Sequence, residues 1–274
     1  MTTIAQACAG VLRESDPLAK VRAARAVARG WRRGALAHDF DVAMPDAPGR
    51  PDRPELLPPN RMPKRGRGGS EKGRIALLHA LAHIEFAAID LAFDAAGRFG
   101  GQFPRTFVDD WVSVGADEAM HFAVLHRRLK TLGSGYGELP AHAGLWEAAE
   151  ETAHDAMARL AVVPMVLEAR GLDVTPETVA RFRAGGDEPS ARILNRIYTD
   201  EIRHVGFGAK WFGYLAAGHD IEPAEHWRML VRRHFRGVVK PPFNVSARDT
   251  AGLTRDFYAP LADEEPIKAQ ADRL

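Results

Sequence analysis

Six residues whose side chains can hold metal ions recur in this chain at one fixed offset. Glu85, Glu118 and His121 reappear as Glu168, Glu201 and His204, each 83 positions later. Two further acids keep the same offset, Asp90 with Asp173 and Asp117 with Asp200. The surrounding strings agree at their apolar and acidic places: residues 84–90 match 167–173, and Asp117-Glu118-Ala119-Met120-His121 matches Asp200-Glu201-Ile202-Arg203-His204. On a helix, residues i and i+3 share a face, so Glu118 with His121, and Glu201 with His204, can each reach one ion. Glu85 and Glu168 come singly from partner helices, each 33 residues ahead of its Glu-x-x-His, and can bridge two ions. Two helical hairpins of this kind, packed about a pseudo-twofold, carry the donor set of a dinuclear carboxylate centre. Carboxylate with imidazole suits iron or manganese, and zinc also fits. One Glu-x-x-His alone would say little, because it arises by chance on many solvated helices. Its duplication behind an equally spaced Glu carries the argument.

The flanks point the same way. Glu85 stands in the largely apolar Leu81–Ile89, and Glu168 follows the almost wholly apolar Ala161–Leu167. A carboxylate on such a face is costly unless it is paired, protonated or bound to metal. A ligating histidine usually gives its other N–H to a carboxylate or carbonyl. Asp117 is therefore assigned to His204, and Asp200 to His121. The plainer reading pairs these acids with Arg196 or Arg203. Tyr198, three residues before Glu201, shares its face; it reads either as a hydrogen-bonding or redox group at the metals or as an ordinary buried tyrosine. His79 and His83 miss the Glu85 face and read as supporting or surface residues.

The elements that must position these residues are helical. Residues 3–14 and 17–34 are predicted as two helices, the second started by Asp16-Pro17. Residues 38–70 hold seven prolines and cannot be regular helix; Phe40, Leu56, Leu57 and Met62 suggest an ordered strap. Long helices are expected from Ser70 to about 97–101, from Pro104 to Leu132, from about Ala141 to 171–176, and from Pro189 to Ala217. A short helix over 176–184 precedes the last of these, and one over 222–236 follows it. No alternating strand pattern of useful length appears, so the chain is read as all-α. The expected organisation is 1–70 as N-terminal helices and strap, 71–218 as a four-helix bundle, and 219–274 as a C-terminal helix and tail.

Composition narrows the function classes. The chain has 274 residues, 46% of them hydrophobic, enough for a packed core. No apolar run is expected to reach the ~20 residues that span a bilayer. The first residues lack the basic start of a signal peptide, which suggests a cytoplasmic location. Cys8 is the single cysteine, which excludes an internal disulfide and a four-cysteine metal site. Residues 1–74 carry 15 Lys/Arg against 8 Asp/Glu, while the whole chain is at +1. The basic stripe Arg22, Arg25, Arg29, Arg32 and Arg33, with Lys64-Arg65-Gly66-Arg67, leaves room for a phosphate-bearing or nucleic-acid partner, although a solvated face is the commoner meaning.

These residues resemble the ferritin-like superfamily of di-iron carboxylate proteins. Within it the chain looks like a bacterial ferritin-like family classed as a domain of unknown function. The marks are the Pro-rich run 48–56, the string Leu167–Pro176, Asp200–His204 and the tail Pro241-Pro242-Phe243-Asn244. The Asp-Glu-x-Arg-His element of di-iron oxygenases and ribonucleotide reductase small subunits is matched in the second half; the first half has Met120 in place of Arg. The resemblance implies a ferritin-like bundle binding two metal ions, iron first, with manganese or a mixed pair as alternatives. It implies dioxygen and an unidentified substrate as reactants, and a tRNA-modifying hydroxylase family lies among the similar oxygenases. Iron handling by ferroxidation or storage, or a metal-stabilised module without turnover, is the alternative. The 70 residues before Glu71 and 57 after Ala217 favour a covered substrate site over a bare cage subunit. Neither the electron donor nor the oligomer, a homodimer included, is fixed by the sequence.

Overall fold

A computed structural model describes residues 1–63 and 70–262. The basic run 64–67 lies outside them. Among the described residues the chain is helical, with only isolated bridges at Thr3–Ala37 and Leu56–Ala141 in place of strands. The helices are α1 (Ile4–Arg13), α2 (Pro17–Arg32), α3 (Glu71–Phe99), α4 (Arg105–Thr131), α5 (Gly144–Glu151), α6 (Ala156–Val162), α7 (Ala169–Ala184), α8 (Glu188–Gly218), α9 (Pro223–His234), α10 (Val245–Thr250) and α11 (Arg255–Ala262). They fall into two compact units: Met1–Ala156 with Thr175–Asp200, and Met157–Val174 with the chain from Glu201.

In the first unit the caps are the ones the sequence announces. Asp16 accepts the Ala19 N–H with Pro17 in the first turn of α2, and Ser70 accepts the Gly73 N–H at the start of α3. Ser70 and Asp16 thereby take up backbone donors that a helix start leaves unmatched. α3 is buried nearly all round, as a central helix should be. It crosses α4 closely at Gly115, where a Cβ would lie 2.5 Å from the Phe93 ring. Arg128 of α4 donates to Ser190 Oγ at 2.8 Å and to Asp187 at 2.8 Å, fixing the start of α8. The Arg50–Pro54 part of the strap meets the 136–142 connection, and Leu57 N–H donates to Ala141 O at 2.8 Å.

Three expectations need correction here. Segment Glu71–Gln102 is long and apolar enough to cross a membrane by length and composition, with mean hydropathy 1.6 over its best window. That window is 67% buried inside the protein, and its apolarity serves as core. The strap buries Met44, Pro48 and Pro54, while Leu56 is exposed. The third long helix is not continuous: α5 ends at Glu151, residues 152–155 form a turn, and α6 restarts at Ala156. Thr152 caps that break by donating its hydroxyl to Ala148 O at 2.8 Å.

In the second unit α6 passes into a π-helical turn, Val163–Glu168, before α7 begins. Pro164 at its start has no N–H for an α-helical bond, so widening the turn there costs little. Gly208 of α8 lies against Pro164, where a Cβ would be 2.6 Å away. α7 then runs without interruption through Pro176 to Ala184, merging two segments the sequence had separated. Trp227 of α9 is fully buried and donates its indole N–H to Ala161 O at 3.2 Å.

Candidate metal centre

Glu85 stands mid-way along α3, and Glu118 and His121 stand one turn apart on α4. They are 4%, 1% and 0% exposed, so the three polar side chains sit in core. His121 Nδ1 is 3.2 Å from Glu85 Oε2 and 3.1 Å from Glu118 Oε2. Its Nε2 is 3.1 Å from Asp200 Oδ2 on α8, the partner expected from the sequence. One ring nitrogen thus faces two carboxylates and the other faces a third. Donor atoms of Glu85, Glu118 and His121 lie within 4.8 Å of one another, close enough to share one ion.

Electrostatics explains how such a group could take a cation. Burial, and then the neighbouring Glu118 carboxylate, push Glu85 well above the ordinary range. Burial opposes charge on His121, but the carboxylates of Glu118, Asp200 and Glu85 outweigh it and raise the imidazole to about 12. Without metal, both shifts favour the protonated forms. A divalent ion fits the same donors, since it supplies the positive charge those protons carry.

Asp200 combines both roles considered for it. It faces His121 and also accepts from Arg196 Nε at 2.7 Å. Burial would raise it, but His121 and Arg196 together hold it down at about 2. Asp117 is half-buried, and its charge acts on Arg196 as well. Tyr198 is half-buried on α8.

The second unit repeats the local motif. His204 is fully buried, and its Nδ1 is 3.5 Å from Glu201 Oε1, the glutamate three residues earlier. The Nδ1 of each histidine is therefore turned to the glutamate of its own Glu-x-x-His. Glu168 is half-buried and is the last residue of the π turn. Such turns collect at functional sites, because one extra residue re-aims a side chain.

The remaining acids of the repeat, Asp90 and Asp173, prove to be buried ion-pair anchors. Lys20 of α2, fully buried, donates to Asp90 and also to Gly49 O at 3.1 Å and Leu12 O at 3.4 Å. Asp173 receives Arg248 on both oxygens, at 2.8 and 2.7 Å, and the Asn244 N–H at 3.0 Å. Each half thus ties one terminal extension to its own acid. Lys20 heads the basic stretch that continues to Arg33, yet its 20, 24, 28, 31 spacing with Ala24, Ala28 and Trp31 puts it on the core face of α2. Arg22, Arg29, Arg32 and Arg33 of the stripe are exposed. His79 and His83 are buried rather than superficial. His79 Nε2 accepts from Gly137 N–H at 2.9 Å, and His83 binds Tyr136 OH at 2.9 Å and His142 O at 3.2 Å.

With this geometry in hand, comparison with known proteins gives a family. The family described as "Protein of unknown function (DUF455)" matches residues 13–259, nearly the whole chain. The chain belongs to it. An uncharacterized protein of Haemophilus influenzae is 42% identical over 211 residues, covering 75% of this chain and 73% of the relative. No solved structure matches. The matched span of this DUF455 chain takes in both Glu-x-x-His motifs and both buried ion-pair anchors.

Proposed function

We propose that this DUF455 chain is a dinuclear non-haem iron protein of ferritin-like architecture that oxidises an organic substrate with dioxygen. The observation that carries the reading is His121: its Nδ1 faces two buried carboxylates while its Nε2 faces Asp200. In this reading the 83-residue repeat supplies the donors: Glu118 with His121 would hold one ion and Glu201 with His204 the other, with Glu85 and Glu168 completing the set, in the ferritin-like four-helix bundle that the repeat implies. Mixed manganese and iron fits the same donors.

Two ferrous ions, when bound, supply the reducing equivalents for dioxygen. The rest is done by side chains. Asp200 accepts the Nε2 proton of His121 and so leaves the Nδ1 lone pair for the ion. Asp117 does the same for His204. Phe86 and Phe122, next in the chain to Glu85 and His121, are buried with ring centroids 5.3 Å apart. Tyr198 supplies a hydroxyl on the face that carries Glu201.

The test is to load purified protein anaerobically with ferrous iron and then admit oxygen. Oxygen should be consumed, the protein should stay at low oligomeric order by light scattering, and no mineral core should form. A many-subunit cage retaining mineral would replace this reading with iron storage. Absence of both oxygen uptake and mineral would leave a metal-stabilised structural module.

A further inference from the structure

The basic stripe of α2 has no counter-charge among the described residues. Residues 17–38 hold one lysine, five arginines and no acid. Lys20 is turned into the core and held by Asp90. Arg22, Arg29, Arg32 and Arg33 are exposed and Arg25 is half-buried. None of the five side chains forms an ion pair, a hydrogen bond or a ring contact among the described residues. Because α2 carries no acid, the i to i+4 pairs that usually soften such a row cannot form. Just ahead of the helix, Asp16 is engaged as its cap. On α4, Arg105 lies over the Trp31 ring at 3.8 Å and Asp109 accepts the Trp31 N–H at 2.7 Å, so these two opposite charges offset each other. The last carbonyls of α2 give a local reason for Arg29, Arg32 and Arg33, but Arg22 and Arg25 stand too far from them.

Geometry narrows the partner. The five arginines fall in a sector roughly 100° wide and run about 16 Å along the axis, from Arg22 to Arg33. Val21, Ala24, Ala28 and Trp31 occupy the opposite side and are buried. Guanidinium groups spread over about three turns cannot gather on one small anion; they match a polymer that carries its charges in a row. Besides the arginines, only Leu18 and Ala26 are exposed along α2, too little apolar surface for the dry centre of a protein interface. With its apolar side in the core, α2 has no face to lay into a bilayer. No aromatic ring stands in the sector, so the bases of a single strand would find nothing to stack on. A duplex fits what remains. Its phosphates carry about one charge per 1.7 Å of axis, and their oxygens accept the paired N–H groups of a guanidinium.

We propose that the outer face of α2 docks on the phosphate backbone of a nucleic-acid duplex, with Arg22, Arg25, Arg29, Arg32 and Arg33 as its contacts. Because those contacts go to phosphate, the docking is indifferent to base sequence. The stripe faces away from the core, and docking on it does not depend on metal binding.

The experiment is fluorescence anisotropy of the full chain with a labelled duplex of about 20 base pairs, made as RNA and as DNA of one sequence. At least one should bind saturably, and the pair of measurements identifies the preferred backbone. With three to five phosphate contacts, the slope of log K against log[salt] should be roughly −3 to −5. Arg22→Gln with Arg25→Gln, both outside the last turn of α2, should make that slope shallower by about 2. Near 0.1 M salt the same variant should bind on the order of 10–100-fold more weakly. Arg127→Gln with Arg192→Gln removes the same charge from exposed positions on α4 and α8 and should leave affinity within about threefold. Charge-matched polyglutamate and phosphatidylserine vesicles should compete poorly against the duplex on the natural protein, a comparison that stands even if a variant folds poorly. Saturation by neither duplex, an equal loss in the Arg127/Arg192 variant, or tighter binding of polyglutamate or vesicles than of both duplexes would overturn the proposal.

Discussion

Replacing Lys20 with Met is expected to cost about 3–5 kcal/mol of stability, because it strands the Asp90 carboxylate in the core. Lys20 and Asp90 are 0% and 2% exposed, and the ammonium finds three acceptors in Asp90, Gly49 O and Leu12 O. In thermal unfolding this corresponds to a fall in Tm on the order of 10 °C. The loss should depend on pH in a defined direction. Burial raises Asp90 to about 7 even though Lys20 opposes the shift. A carboxyl whose folded pKa lies above its unfolded value binds more protons when folded, so its ionisation costs stability as pH rises. Without Lys20 that cost grows. Lys20→Met should therefore be most damaging above about pH 7 and least damaging near pH 4–5, where Asp90 is protonated in the folded chain. Adding Asp90→Leu should recover much of the loss, as apolar replacement of buried pairs often does. A Lys20→Met protein as stable as the natural one across this range would show that the pair does not anchor the N-terminal helices.

Ferrous binding is expected to strengthen steeply with pH. In the metal-free protein burial and the Glu118 carboxylate favour the protonated form of Glu85, and the surrounding carboxylates favour the protonated form of His121. An ion taken by these carboxylates and by Nδ1 displaces the proton favoured on Glu85 and the Nδ1 proton, while the Nε2–H of His121 keeps its hydrogen bond to Asp200. About two protons should leave per ion at this half-site, so affinity should rise by up to about 100-fold per pH unit near neutrality. Calorimetry in buffers of different ionisation enthalpy counts those protons directly. Affinity that is flat between about pH 6 and pH 8 would contradict the protonated state described for the metal-free group.

The candidate donors stand out in the sequence because coordination chemistry imposes spacing. Glu118 with His121 must sit one turn apart to share an ion, and the 83-residue offset repeats that requirement. The starts of α2 and α3 were legible because Asp16-Pro17 and Ser70 act locally. What sequence spacing did not reveal depends on partners distant in the chain. Lys20 reads as one more basic residue until Asp90, 70 positions on, is placed against it. Arg248 lies 75 positions from Asp173, in a tail with no period of its own. The π turn at 163–168 escaped because Pro164 in an apolar run is equally compatible with a kinked α-helix; Gly208, against which it packs, is remote in sequence. The break at 152–155 was hidden because Thr152 and Ala153 do not oppose helix strongly, and the cap that Thr152 forms on Ala148 O needs no special motif.

The central claim is that the two Glu-x-x-His motifs serve one dinuclear centre, and metal stoichiometry tests it most directly. Protein stripped of metal, loaded with excess ferrous iron under anaerobic conditions and freed of unbound ion should retain two irons per chain. His121→Ala and His204→Ala should each lower that number, since either change leaves an ion with too few donors. Retention of no iron, or of a single iron unaffected by His204→Ala, would contradict the account.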